Sequence, residues 1–113
     1  MLVAQLSDLH LGPARPEKAE AARRALTYLG DLPTRPDVLV ITGDCADDGA
    51  PAAYEQLRGW LSALSFPAYV IPGNHDDREA MRSEFGEQGE HALPGFIQYA
   101  VEAGPLRLLM LDT

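Results

Sequence analysis

Three short apolar runs, at residues 1–6, 38–41 and 68–71, set the tightest limit on what this chain can become. They are rich in Val, Ile and Leu and are bounded by Pro, Gly, Asp and Asn. Runs this short read as buried strands rather than helices. The segments between them have helical character. Pro16 opens the first, with Glu17 and Glu20 in the turn where the helix dipole favours acid. Ala22, Leu26 and Leu29 then share one face, and Gly30 stands as the C-terminal stop. Pro51 opens the second, in which Tyr54, Leu57, Leu61 and Leu64 repeat at helical spacing before Pro67 returns the chain to strand. A third, shorter helix fits residues 78–85 and is stopped by Gly86. Strand alternating with helix implies βαβ units and a mostly parallel sheet, so the fold class is α/β.

After Gly95 the texture changes. Residues 96–102 and 106–112 read as two strands joined through Ala103-Gly104-Pro105, a β-hairpin at the edge or end of the sheet. The final apolar strand has no helix after it, whereas a strand buried on both faces needs a layer on each side. Residues 1–113 therefore read as a single domain that is the N-terminal part of something larger.

The same sequence excludes several roles. Acidic residues outnumber basic ones 17 to 9, for a net charge of -8, which disfavours coating nucleic acid or an anionic membrane. No apolar stretch reaches the roughly 20 residues of a membrane span, and residues 1–6 lack the basic start of a signal peptide. The single cysteine, Cys45, rules out an intrachain disulfide and a cysteine-cluster zinc site and suits a reducing cytosol. The expected location is the cytoplasm. Cys45 itself reads as a small core residue, and Trp60, beside the Leu57/Leu61/Leu64 stripe, as packing.

The chemistry gathers where the strands end. The first delivers Ser7-Asp8-Leu9-His10, the second Thr42-Gly43-Asp44, the third Pro72-Gly73-Asn74-His75-Asp76. Ligands of open α/β sheets bind beyond the carboxyl ends of the strands, so the three clusters should converge. Asp8 and Asp44 offer carboxylate oxygens, His10 an imidazole nitrogen and Asn74 an amide oxygen. That mixed set suits manganese, iron, zinc or cobalt. Each cluster alone is compatible with an ordinary turn or cap; their occurrence in order, one per strand, is what points to a metal centre. Asp47 and Asp48 read first as shaping the loop before Pro51, with a substrate-side or supporting role kept open for both, as for Asp76. Arg78 is open to two readings, phosphate contact or helix-start surface residue.

Asp-x-His, then Gly-Asp, then Gly-Asn-His-Asp resembles the calcineurin-like metallophosphoesterases. The stretches around Asp8-Leu9-His10, Val38 to Asp44, Asp47-Asp48-Gly49, Pro72 to Arg78 and Leu109 to Thr113 are similar to the bacterial cyclic-nucleotide phosphodiesterase and glycerophosphodiesterase branch. The resemblance implies the N-terminal half of a four-layer αββα sandwich and two divalent metal ions. Asp8 and His10 would hold the first, Asp44 would bridge, and Asn74 would hold the second. His75 would be catalytic, facing a small phosphodiester and either protonating the leaving oxygen or stabilising the phosphoryl charge. The family pattern continues with a further His and a Gly-His-x-His element; here the third histidine, His91, reads as a surface residue, so the site would be incomplete. Two expectations follow: a metal-dependent phosphodiester hydrolase, or a truncated, weakly catalytic metal-binding chain. In either case an uncovered sheet face would drive self-association or pairing with the missing half.

Overall fold

The computed structural model describes residues 1–88 and 95–112. Strand β1 (Val3–Leu6) leads into helix α1 (Pro16–Asp31), β2 (Val38–Thr42), α2 (Pro51–Ser62), β3 (Ala68–Ile71) and α3 (Arg78–Phe85), followed by a 3-10 turn at Gly86–Gln88. The hairpin strands are β4 (Tyr99–Ala103) and β5 (Leu106–Met110). Pro16 and Pro51 occupy the first turns of α1 and α2 as the sequence implies, and Asp77 caps α3 by accepting the Ala80 N–H at 2.9 Å. Gly86 follows α3 as its C-terminal residue.

Helix α1 departs from expectation by running through Gly30 to Asp31. Gly30 keeps a negative φ, whereas Leu32 is extended with ψ 140°. The stop is Pro33: the ring of a proline pushes the preceding residue out of the helical region.

β1, β2 and β3 form a parallel sheet in that order, with Ala4 beside Leu39, Leu6 beside Ile41 and Ile41 beside Val70. These residues share one face, and both crossover helices lie on it, as right-handed connections require. Leu39, Ile41 and Val70 are buried in one cluster with Leu26, Leu57 and Leu61. The opposite face carries Val3, Gln5, Val40, Thr42, Tyr69 and Ile71, all exposed or half-buried; Val38 alone of this face is fully buried.

The hairpin forms its own antiparallel sheet instead of extending the parallel one. Side chains join it to the free edge of β3. The Tyr99 hydroxyl donates to the Val70 carbonyl at 2.5 Å. The Gln88 amide accepts the Val70 N–H at 3.0 Å and donates to the Ala68 carbonyl at 2.7 Å. Gln88 thus takes the place of a neighbouring strand on an otherwise open edge.

The end of the described chain is fastened to α3. Asp112 accepts Arg78 Nε at 2.6 Å, Arg78 Nη2 at 2.7 Å and the Ile97 N–H at 2.8 Å, while the Arg78 guanidinium lies 5.2 Å from the Phe96 ring centre. Burial of the Asp112 carboxyl opposes its ionisation, but the Arg78 and Ile97 donors outweigh burial, and its pKa falls below the ordinary 3.8. A carboxylate with a lowered folded-state pKa stabilises the fold above its unfolded value and loses that contribution as pH falls through the folded one. Asp112→Asn is therefore expected to cost about 1–2 kcal/mol at pH 7, since Arg78 is partly in solvent. The gap in melting temperature between variant and parent should close on acidification below about pH 4; a gap independent of pH would remove the ion pair as its cause.

Candidate metal centre

Beyond the sheet, the loops after β1 and β2 run side by side. Asp8 N donates to the Gly43 carbonyl at 3.0 Å, His10 N to that of Asp44 at 2.9 Å, Leu11 N to that of Cys45 at 3.0 Å, and Asp47 N to that of Leu11 at 2.9 Å. This pairing brings Asp8-x-His10 against Gly43-Asp44. Asp8, His10 and Asp44 have φ of 58°, 49° and 52°. The left-handed region is costly for residues with a Cβ and is held only where surrounding contacts demand it, a condition that gathers at functional sites. They are the only described non-glycine residues with positive φ, and all three are sequence-predicted ligands.

The loop after β3 closes against the other two. His75 N donates to Asp44 Oδ1 at 2.9 Å. Gly73 has no room for a side chain, since a Cβ there would lie 2.5 Å from Asp44 N and closer still to the Asp44 carboxylate. Gly43, at φ 100°, supplies the turn that delivers Asp44. Asp76 ties the loops together: its carboxylate accepts N–H groups of Cys45 (3.1 Å), Ala46 (2.9 Å) and Gly73 (2.8 Å) and the Tyr54 hydroxyl (2.8 Å).

Within this frame His10 Nε2 lies 3.6 Å from Asp8 Oδ1 and 3.8 Å from Asp44 Oδ2. These separations are too long for hydrogen bonds. They suit donors facing a common centre about 2.0–2.2 Å from each. The donor chemistry, two carboxylates and an imidazole, fits a divalent metal. The Ser7 hydroxyl, and after it His10, hold the Asp8 carboxyl below its ordinary value, which keeps it ionised as a ligand must be. Asp44 turns one oxygen to His10 and the other to the loop of His75.

The His75 ring is exposed and T-shaped to that of His10, 4.9 Å between centres. Its Nδ1 lies 2.8 Å from the Asp47 carbonyl. A carbonyl only accepts, so Nδ1 carries the proton and Nε2 is left for other work. The same carbonyl, followed by the charges of Asp44 and Asp47, raises the His75 pKa against the opposing effects of burial and Arg15.

The structure brings Asp8, His10, Asp44 and His75 together, with Asn74 exposed between Gly73 and His75. Three other sequence candidates are engaged elsewhere. Asp76 is filled by four protein donors, and Arg78 is paired with Asp112. Exposed Asp48 accepts the Ala50 N–H at 3.1 Å ahead of α2. Asp47, read from the sequence as loop-shaping with a supporting role open, takes the supporting place: its Oδ1 is 3.1 Å from His10 Nδ1. The one available signal was its place three residues after Asp44. Cys45 is buried with its thiol pKa pushed up, first by burial and then by Asp76 and Asp44, and Trp60 packs against the core. His91 lies outside the described residues.

The sequence model of the calcineurin-like phosphoesterases matches residues 1–106. A probable glycerophosphodiester phosphodiesterase of Arcobacter nitrofigilis is 31% identical over all of this chain and 44% of its own length. A probable cyclic nucleotide phosphodiesterase of Synechococcus is 36% identical over 89% of this chain and 43% of its own. A cAMP/cGMP dual specificity phosphodiesterase of Mycobacterium tuberculosis is 36% identical over 78% and 28%. The chain thus spans less than half the length of these relatives. A solved structure of a protein of unknown function from Aquifex aeolicus shares the fold, at TM-score 0.52 and 18% identity over 96% of this chain and 58% of that one. The match over residues 1–106, on a fold that gathers the matched motifs at one sheet edge, establishes that this chain belongs to the calcineurin-like phosphoesterase family.

Proposed function

We propose that the chain supplies the first metal-binding half of a phosphodiesterase domain, hydrolysing a small phosphodiester such as a cyclic nucleotide or a glycerophosphodiester. The observation that carries this reading is the convergence of Asp8, His10 and Asp44, all in left-handed backbone, on one point at the carboxyl edge of the sheet. Manganese, iron, zinc and cobalt all suit these donors. Bound there, two such ions would supply Lewis acidity toward the phosphoryl group and lower the pKa of water.

The chain's own residues divide the remaining work. Asp8 and His10 would hold the first ion, Asp44 would serve both, and Asn74 would hold the second. His75, exposed and fixed through Nδ1, offers Nε2 to the substrate and the leaving oxygen; the Asp47 carbonyl raises its pKa, which favours the protonated form. A second reading has its own observation. Among the described residues Asp8, His10 and Asp44 face a common centre while Asn74 stands exposed, which suits a chain that binds metal and catalyses weakly until a partner or further residues complete the site. No described helix is long and apolar enough to cross a membrane, and we place the working protein in the cytoplasm, where the buried Cys45 thiol stays reduced.

Equilibrium dialysis with manganese or zinc, paired with hydrolysis of a chromogenic phosphodiester, tests the reading. Asp44→Ala is expected to strip metal more completely than Asn74→Ala. His75→Ala should keep metal and lose turnover by about 100-fold or more. Equal metal retention in all three would count against the assigned ligands, and unchanged turnover in His75→Ala would remove it from the reaction.

A further inference from the structure

We infer that Asp47 is a positioning residue that sets His10 as a ligand: its carboxylate holds the Nδ1 proton of His10 and so turns Nε2, unprotonated, toward Asp8 and Asp44. The inference deepens the metal-centre reading and rests on it. His10 can bind metal through Nε2 only if its proton sits on Nδ1, and a neutral imidazole free of partners does not fix that choice. Among the described residues three carboxylates surround the ring. Asp8 and Asp44 lie off Nε2 at 3.6 and 3.8 Å, while Asp47 Oδ1 lies 3.1 Å from Nδ1, within hydrogen-bond reach. An ionised carboxylate only accepts, so the short contact requires the proton to be on Nδ1.

Asp47 is itself held from two sides. Its backbone N–H is bonded to the Leu11 carbonyl, one residue beyond His10, which sets the carboxylate and the ring in a common frame. Its second oxygen, Oδ2, lies 3.7 Å from Arg15 Nε, so a cation draws the carboxylate from behind. The His10 and Asp47 side chains are only 16% and 23% exposed, so water competes weakly for the contact. Asp47 also reaches His75, but through its backbone carbonyl. One residue therefore orients both histidines by two separate groups, and a side-chain substitution leaves in place the carbonyl that orients His75.

That separation gives the test an internal control. Histidine nitrogens of the full metal-free chain can be followed by NMR at about pH 8.5, where imidazole is neutral. In the parent, His10 and His75 should both carry their proton on Nδ1. Asp47→Ala is expected to shift His10 toward the Nε2-protonated form and leave the His75 tautomer unchanged. The zinc affinity should fall by about 10- to 100-fold, the usual effect of removing a ligand's outer hydrogen-bond partner. Asp47→Asn, which keeps an acceptor oxygen, should retain the His10 tautomer and most of the affinity. A general loss of structure would move both histidines and the circular dichroism together. His10 still protonated on Nδ1 in Asp47→Ala, with zinc affinity within twofold of the parent, would overturn the inference. Addition of zinc to the parent separates the two levels. His10 resonances that do not respond would overturn the ligand assignment itself, while the metal-free comparison still decides whether Asp47 sets the tautomer.

Discussion

Asp76→Ala is expected to be among the most destabilising single substitutions in the molecule, costing about 3–5 kcal/mol and lowering the melting temperature by roughly 15 °C or more. The Asp76 carboxylate takes four protein donors: the N–H groups of Cys45, Ala46 and Gly73 and the Tyr54 hydroxyl. Alanine would leave all four without an acceptor, and each buried donor so orphaned costs about 1–3 kcal/mol. Water would satisfy some, because the site is only half-buried, which places the total below the simple sum. Tyr54 is the least able to find a substitute. It is fully buried, its ionisation is pushed to high pH by that burial, and it accepts the Asp77 N–H at 2.9 Å. The damage would also reach function, since these bonds bind the loop that carries Asp44 to the loop that carries His75. Asp48→Ala is the contrast: an exposed residue with one local bond should stay within about 1 kcal/mol of the parent. Thermal unfolding by circular dichroism measures both. A shift below about 3 °C for Asp76→Ala would mean that the loops are held by something else.

Much of this architecture can be read from the sequence because it follows from local rules. The β-branched runs, the prolines opening α1 and α2 and the Gly-Asp and Gly-Asn-His turns each carry their own signal. The topological rule that strand ends meet then assembles Asp8, His10, Asp44 and His75 with no contact known beforehand. What escapes is the pairing of side chains distant in sequence. Arg78 looks like a phosphate contact until Asp112 is seen against it, 34 residues away. Asp76 sits in a motif full of ligands, and only its four donors reveal that it braces the backbone. Asp47 is indistinguishable from Asp48 as text, yet one faces His10 and the other caps a turn. At the end of α1, Gly30 and Pro33 are both valid stop signals, and the stronger steric constraint wins. The hairpin was legible as a hairpin, whereas its separation from the parallel sheet depends on Gln88 occupying the edge of β3.

Self-association of the isolated chain is the other large effect expected. Helices α1 and α2 cover one face of the parallel sheet. On the other, Val3, Val40, Tyr69 and Ile71 keep contact with water. The hairpin adds Leu109 and Leu111, 65% and 58% exposed, and Leu106 at its turn. Soluble monomers rarely leave more than a few hundred Å² of contiguous apolar surface uncovered. Removing such surface from water is worth about 25 cal/mol per Å² before association costs, which favours contact between copies. Two features argue that the contact is face to face rather than edge to edge: Gln88 blocks the free edge of β3, and the hairpin stands beside it. Sedimentation velocity should show a dimer or larger species. Val3→Lys with Leu109→Lys should return it to monomer with its helical signal intact, since both side chains are exposed and neither belongs to the buried cluster. A parent chain that sediments as a cooperative, well-folded monomer would show that the hairpin and the sheet already satisfy one another, and that the apolar face calls for no partner.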